Sequence, residues 1–291
     1  MSVRVLCAAT AFACLLSSCA GKPPSEGGSL KTAFAAGNAT GPLQAKDDAN
    51  SPVALTPAAW GRMNNPGGLS GRTLTVNSLA DLKLRNKEVV LTFDDGPVPK
   101  KTERILATLD DFKVKATFLM VGEMAKAYPK IARQVVDAGH TVGSHTFRHA
   151  DLRKLAVDEA IAEINRGRDA VRLATRTDTN FFRFPYLSDS GTLRHWVAQN
   201  RMVVLDVQID SKDYFGVSPA AVATRTMSEL HRHGRGIILM HDIHNRTGAM
   251  LPALLTQLKA EGYKVVTLRY GGSRGPMLSA ALERDADSDR S

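Results

Sequence analysis

The chain of 291 residues has only three cysteines, Cys7, Cys14 and Cys19, and none after position 19. Whatever folds beyond that point has no disulfide to staple it and must rely on a packed core, for which its length suffices. Long hydrophobic runs are also scarce. The most apolar stretch, Val5 to Leu16, is too short to span a bilayer as a mature helix. Aromatic residues make up only 6% and no dense basic run occurs, although the formal net charge is +9. A nucleic-acid surface needs a concentrated basic patch, so no nucleic-acid partner is expected. A diffuse positive field suits work near anionic envelope polymers or lipids, or merely aids solubility. Nothing in the sequence calls for an obligate protein partner.

The amino-terminal stretch has a leader pattern: a short basic start, Met1 to Arg4, then the apolar run. It closes on Leu16-Ser17-Ser18-Cys19, which resembles the lipobox of bacterial lipoproteins. The resemblance implies cleavage after residue 18, loss of Cys7 and Cys14 with the leader, and a lipid anchor on Cys19. Several acyl chains would hold such a protein firmly to a membrane. Ala20 stands where Asp tends to retain lipoproteins in the inner membrane of Gram-negative cells. The expected location is therefore the cell envelope, the outer membrane over the inner. An ordinary secretory signal with a chance Cys is the plainer alternative. Residues 1–18 are thus read as signal peptide and 19–72 as a lipidated flexible tether, rich in Gly, Ala, Pro, Ser and Asn. Trp60 is the exception, an aromatic able to dock on the body. The body is expected over 73–270, with a loose polar tail at 271–291.

Beyond residue 86 the chain alternates between short β-branched runs and helical periods. Strand-like runs are Val89–Phe93, Ala116–Val121, Thr141–Ser144, Phe181–Phe184, Met202–Val207, Gly236–Met240 and Lys264–Leu268. Between them one segment carries Ile131 and Val135 and stops at Gly139. A second places Val157, Ile161, Ile164 and Val171 at helical spacing. A third opens with Ser218-Pro219 and stops at Gly234. Strand–helix alternation means a parallel sheet, and seven units point to an α/β fold, a distorted (β/α) barrel of about seven parallel strands. Chemistry in such barrels sits where strands end.

Candidate residues fall at those ends. Asp94 and Asp95 close the first strand, in Thr92-Phe93-Asp94-Asp95-Gly96-Pro97. His145 and His149 follow the third, four residues apart and able to face one cation if the segment is helical or tightly turned. Alone, H-x-x-x-H is weak, and one capping plus one solvent histidine would serve as well. Joined to a carboxylate it makes a His, His, Asp set with room for a further ligand, the pattern of a hydrolytic metal site. Arg183, amid Phe181, Phe182 and Phe184, needs an anion. Asp210 and Asp213 follow the fifth strand and His241 ends the sixth. Each has a bland reading as cap, surface acid or core histidine, but their coincidence at successive strand ends does not.

In order, these segments resemble the five motifs of the NodB-homology polysaccharide deacetylases, carbohydrate esterase family four, over about residues 87–269. The motifs are Thr92 to Pro97, His145 with His149, Arg183-Phe184-Pro185-Tyr186, Asp210-x-x-Asp213, and Leu239-x-His241. Two positions depart: Leu187 where Gly often follows Pro-Tyr, and Tyr214 where Trp is usual. The resemblance implies that Asp95, His145 and His149 bind a divalent metal, Zn²⁺ foremost with Co²⁺ or Ni²⁺ as substitutes, and that Asp94 is the general base, paired with Arg183. It implies an oxyanion donor at the Tyr186 N–H, His241 as general acid supported by Asp213 or else Asp210, and Leu239 lining the acetyl pocket, with Tyr214 bordering the sugar groove. The expected substrate is an acetylated glycan, with N-deacetylation of an N-acetylglucosamine polymer such as peptidoglycan, a chitin-like glycan or poly-N-acetylglucosamine. O-deacetylation and a non-catalytic glycan-binding lipoprotein are the alternatives.

Overall fold

The computed structural model describes residues 68–272. Cys19, Trp60 and the segment from 273 onward lie outside the described residues. The nine strands among the described residues all pair in parallel. They are β1 (Ser70–Val76), β2 (Glu88–Asp94), β3 (Thr117–Met120), β4 (Thr141–Ser144), β5 (Phe181–Phe182), β6 (Val203–Val204), β7 (Ile209–Asp210), β8 (Gly236–His241) and β9 (Lys264–Tyr270). Seven run side by side as β7-β8-β2-β3-β4-β5-β6, a nearly closed barrel, and no pairing joins β6 to β7 among the described residues. β9 attaches to β2 only at Glu88 and Val89, and carries β1 on its other edge.

Among the described residues seven α-helices wrap this sheet: α1 (Lys101–Asp111), α2 (Gly122–Ala127), α3 (Pro129–Asp137), α4 (Val157–Thr175), α5 (Gly191–Gln199), α6 (Pro219–His233) and α7 (Asn245–Ala260). Their ends follow the sequence signals. The Ser218 hydroxyl accepts from the Ala221 N–H, Pro219 takes the first turn, and Gly234 stops α6 at φ +71. α4 buries Ala160, Ile164 and Val171, one stripe of its helical period.

Strand alternation sorts β2 into two faces. Val89, Leu91 and Phe93 join the core beneath the helices, with Ile105 and Leu109 of α1 and Leu251, Leu254 and Leu255 of α7. Val90 joins Leu119, Phe181, Val203, Leu205 and Ile237, which are drawn from around the barrel and fill its interior. Thr92 and Asp94 continue that inward row toward the carboxyl end. Each fully buried aliphatic or Phe side chain contributes about 1.5–3 kcal/mol relative to exposure.

Two elements differ from expectation. β1 starts at Ser70, ahead of the expected boundary at 73, and Leu69 before it is buried. Its Ser-Gly-Arg-Thr start hides a strand whose inward residue is Val76. The single run expected over Met202–Val207 is instead β6, two residues long, followed by an irregular stretch and then β7 at Ile209–Asp210. The polar Asp206 and Gln208 interrupt the apolar run, and Gln208 spends its side chain on the Ile237 N–H.

Candidate active site

The carboxyl end of the barrel gathers the singled-out residues. Asp94, at the tip of β2, is buried, and Oδ1 accepts from Arg183 Nη1 at 2.7 Å. Arg183, following β5, is itself only 1% exposed. Its Nη1 also donates to the Thr92 hydroxyl and its Nε to the Leu205 carbonyl, both at 2.8 Å. A guanidinium fixed at three points holds the Asp94 carboxylate in one orientation. Burial nevertheless raises the Asp94 pKa, against the opposing pull of Arg183 and His241.

On an extended chain Asp95 would point away from Asp94, toward the helices. It does not, because the backbone leaves the strand there at φ +80. Asp95 Oδ1 therefore lies 3.6 Å from His145 Nε2 and 3.3 Å from His149 Nε2. Asp94 Oδ2 is 3.8 Å from the same His145 nitrogen, so both acids face one histidine.

His145 is buried, and its Nδ1 sits 2.8 Å from the Arg183 carbonyl. A carbonyl only accepts, so Nδ1 carries the proton and Nε2 offers a lone pair. Burial pushes the His145 pKa down to about 3, against the neighbouring Asp95, which keeps the ring neutral as a ligand must be. His149 reaches the cluster through a turn at φ +58 and donates its backbone N–H to Thr146 Oγ1 at 3.0 Å. α4 supports that turn: buried Glu163 accepts from the Arg148 N–H at 3.0 Å and pairs with Arg166.

Ligand atoms of Asp95, His145 and His149 lie within 4.8 Å of one another. Asp95 Oδ1 is buried and has no hydrogen-bond partner among the described residues. An orphaned carboxylate oxygen between two imidazole nitrogens fits a divalent cation of borderline softness.

Opposite stands His241, at the end of β8 and in register with Asp94 across the β2–β8 pair. Its Nδ1 meets Asp213 Oδ1 at 2.7 Å, while Asp213 Oδ2 accepts from the His241 N–H at 2.8 Å and the Thr247 hydroxyl at 2.6 Å. Burial alone would lower the His241 pKa, but Asp213, then Asp94 and Asp95, outweigh it and push it up to about 9. Burial likewise works to raise Asp213, yet its bonds from His241 and Thr247 bring it below the usual carboxylate range. Asp210 makes no bond to His241. It accepts from the Tyr214 hydroxyl at 2.9 Å and from the Lys212 N–H. Burial, then Asp210, raises the Tyr214 phenol to about 12.

The rim is apolar and open. Tyr186, 68% exposed at φ +58, sets its ring edge on His149 with centroids 4.6 Å apart. Tyr214 does the same to His241 at 5.5 Å. Leu187 and Phe215 are exposed beside them, and Leu239 is buried below, level with Thr92.

The family model for polysaccharide deacetylases matches residues 81–205. A peptidoglycan-N-acetylglucosamine deacetylase of Bacillus cereus is 31% identical over 201 residues, covering 65% of this chain and 73% of the relative. The chain belongs to the polysaccharide deacetylase family. A peptidoglycan-N-acetylglucosamine deacetylase of Listeria monocytogenes is 34% identical over 184 residues, 63% of this chain, but the match spans only 38% of that longer protein. The solved peptidoglycan deacetylase of Bdellovibrio bacteriovorus superposes with a TM-score of 0.63 at 31% identity, covering 73% of this chain and 60% of that one.

Within this deacetylase framework four partners escaped the sequence reading. Thr92 and the Leu205 carbonyl hold Arg183, Thr247 holds Asp213, and buried Asp242 accepts from the Gly96 N–H. Two of them had a signal: Thr92 opens the Thr92 to Pro97 motif, and Asp242 is a carboxylate placed directly after the histidine that ends an apolar strand.

Proposed function

We propose that this protein is a metal-dependent hydrolase that removes acetyl groups from N-acetylglucosamine units of an envelope glycan, peptidoglycan first among the candidates. The observation that carries the reading is the pairing of two built acid–base sets across one strand pair: Arg183–Asp94 beside the Asp95, His145, His149 cluster, and Asp213–His241 facing it. The relatives named above, which act on peptidoglycan, favour that polymer.

Asp95, His145 and His149 would hold the cation, Zn²⁺ before Co²⁺ or Ni²⁺. When bound, such an ion supplies Lewis acidity, polarising a carbonyl and making water a nucleophile near neutral pH. Asp94 takes the proton from the attacking water, and Arg183 keeps its carboxylate aimed. The Tyr186 N–H is the chain's own donor to the developing oxyanion. His241, held protonated by Asp213, gives its proton to the departing amine, which is too basic to leave as an anion. Leu239 offers an apolar wall to the acetyl methyl, while Tyr186 and Tyr214 border the sugar. Anchoring through Cys19, with residues beyond it as a tether, would keep this chemistry at the envelope, on the outer membrane over the inner in a Gram-negative cell.

The test is to load the chain lacking residues 1–18 with Zn²⁺ and assay acetate and free amine together on acetylated glycans. Acetate with matching free amine supports the proposal. Acetate without new amine would favour O-deacetylation, and glycan binding without either product would leave a binding protein.

A further inference from the structure

Asp242 is a buried acid that the chemistry above does not use. Its surroundings are nonetheless specific. Oδ1 accepts from the Gly96 N–H at 2.8 Å, and Oδ2 accepts from the Thr102 hydroxyl, on the first turn of α1, at 2.6 Å. Its own N–H donates to the Asp94 carbonyl at 3.2 Å. Thr102 Oγ1 in turn accepts from the Val98 N–H at 2.7 Å. The carboxylate thus fastens both sides of the Asp95-Gly96-Pro97-Val98 turn while sitting one residue after His241.

Gly96 explains itself in the same terms. Its φ is not in the left-handed region, so no turn geometry demands glycine. A Cβ there would lie 2.0 Å from Asp242 Oδ2. The missing side chain is the space the Asp242 carboxylate occupies.

We infer that Asp242 is a positioning residue that sets the Asp95 carboxylate for the cation by clamping the turn that follows it. The inference rests on the proposed role of Asp95 as a ligand. Asp95 owes its place to a single backbone excursion at φ +80, and the next peptide N–H is the one Asp242 holds. Without that bond the chain could return toward extended geometry and withdraw the carboxylate from His145 and His149. A partner one step behind a ligand typically contributes about 10–100-fold in metal affinity.

The experiment measures Zn²⁺ affinity by competition with a chromophoric chelator, together with thermal unfolding of the metal-free chains. The variants are Asp242→Asn, Thr102→Val and Thr102→Ser. Asp242→Asn keeps an acceptor for only one of the two donors, and Thr102→Val removes one donor. Both should bind Zn²⁺ about tenfold to a hundredfold more weakly and lose kcat, with KM for the glycan near wild type. Thr102→Ser restores the hydroxyl and should recover affinity. If Asp242→Asn does not fold, the Thr102 pair decides. Folded variants with wild-type affinity and kcat would overturn the inference, as would Thr102→Ser binding as weakly as Thr102→Val. Zn²⁺ binding left unchanged by Asp95→Asn, with Asp242 and Thr102 intact, would instead sink the proposed metal site itself.

Discussion

His241 and Asp213 are joined twice. The carboxylate takes the imidazole Nδ1 on one oxygen at 2.7 Å and the backbone N–H of the same residue on the other at 2.8 Å. The ring can neither tilt nor change its bonded nitrogen without breaking a buried contact.

A pH signature follows from that pair. His241 stands at about 9 in the folded chain against an ordinary 6.5. A raised histidine contributes stability that is fully present below about pH 6.5 and is lost as pH rises through about 9. Asp213→Asn should lower the His241 titration, seen by NMR of the metal-free protein, and flatten that alkaline decline in urea denaturation. The alkaline limb of kcat/KM should shift to lower pH with it. An unmoved imidazole titration would refute the pairing.

The two adjacent acids should part company on substitution. Asp95→Asn, His145→Ala and His149→Ala should each lose most bound metal and nearly all turnover, measured by elemental analysis and acetate release. Asp94→Asn should keep metal and glycan binding and lose about 10²–10⁴-fold or more in kcat, the scale of a general base. Metal loss in Asp94→Asn with retention in Asp95→Asn would reverse the roles.

Arg183→Met leaves the buried Asp94 without its cation. Breaking a buried pair from one side costs about 3–5 kcal/mol, readable as a lowered urea midpoint. Since Arg183 holds the Asp94 pKa down, its removal should carry the acid limb of kcat/KM to higher pH. A variant of wild-type stability and pH profile would contradict this.

Gly167 on α4 lies under the histidine turn, and a Cβ there would come within 2.3 Å of the Thr146 carbonyl carbon. Gly167→Ala should destabilise by about 1–3 kcal/mol, as overpacking does, and weaken Zn²⁺ binding by displacing His145 and His149. Calorimetric unfolding and chelator competition report the two effects separately.

Cys19→Ala tests the anchor. The variant should leave the membrane fraction, or stay uncleaved, with the chemistry of the purified body unchanged. Normal leader cleavage with unchanged membrane association would remove the lipoprotein proposal.

What the sequence made legible was residue identity at strand ends: paired acids after an apolar run, two histidines four apart, an arginine among phenylalanines. Partnership across the barrel was less so. Asp210 and Asp213 read alike because nothing local says which one faces His241, 28 residues on. Backbone acceptors such as the Arg183 and Leu205 carbonyls have no side-chain identity to read. Strand alternation alone would turn Asp95 away from the mouth, whereas a single left-handed residue brings it to the cluster. β1 and β7 escaped because polar residues interrupt or dilute their patterns.

The direction of β1 has a consequence for how the molecule presents itself. Ser70 pairs with Val265, whose other neighbour is Val89 at the amino end of β2, while the Asp94 end of β2 opens on the cluster of Asp95, His145 and His149. Gly68 and Ser70 therefore stand on the floor of the barrel, the side opposite its mouth. Entry on that side leaves the mouth to the carboxyl ends of β2, β4, β5 and β8, so the residues gathered there stand on a different face from the chain's point of entry.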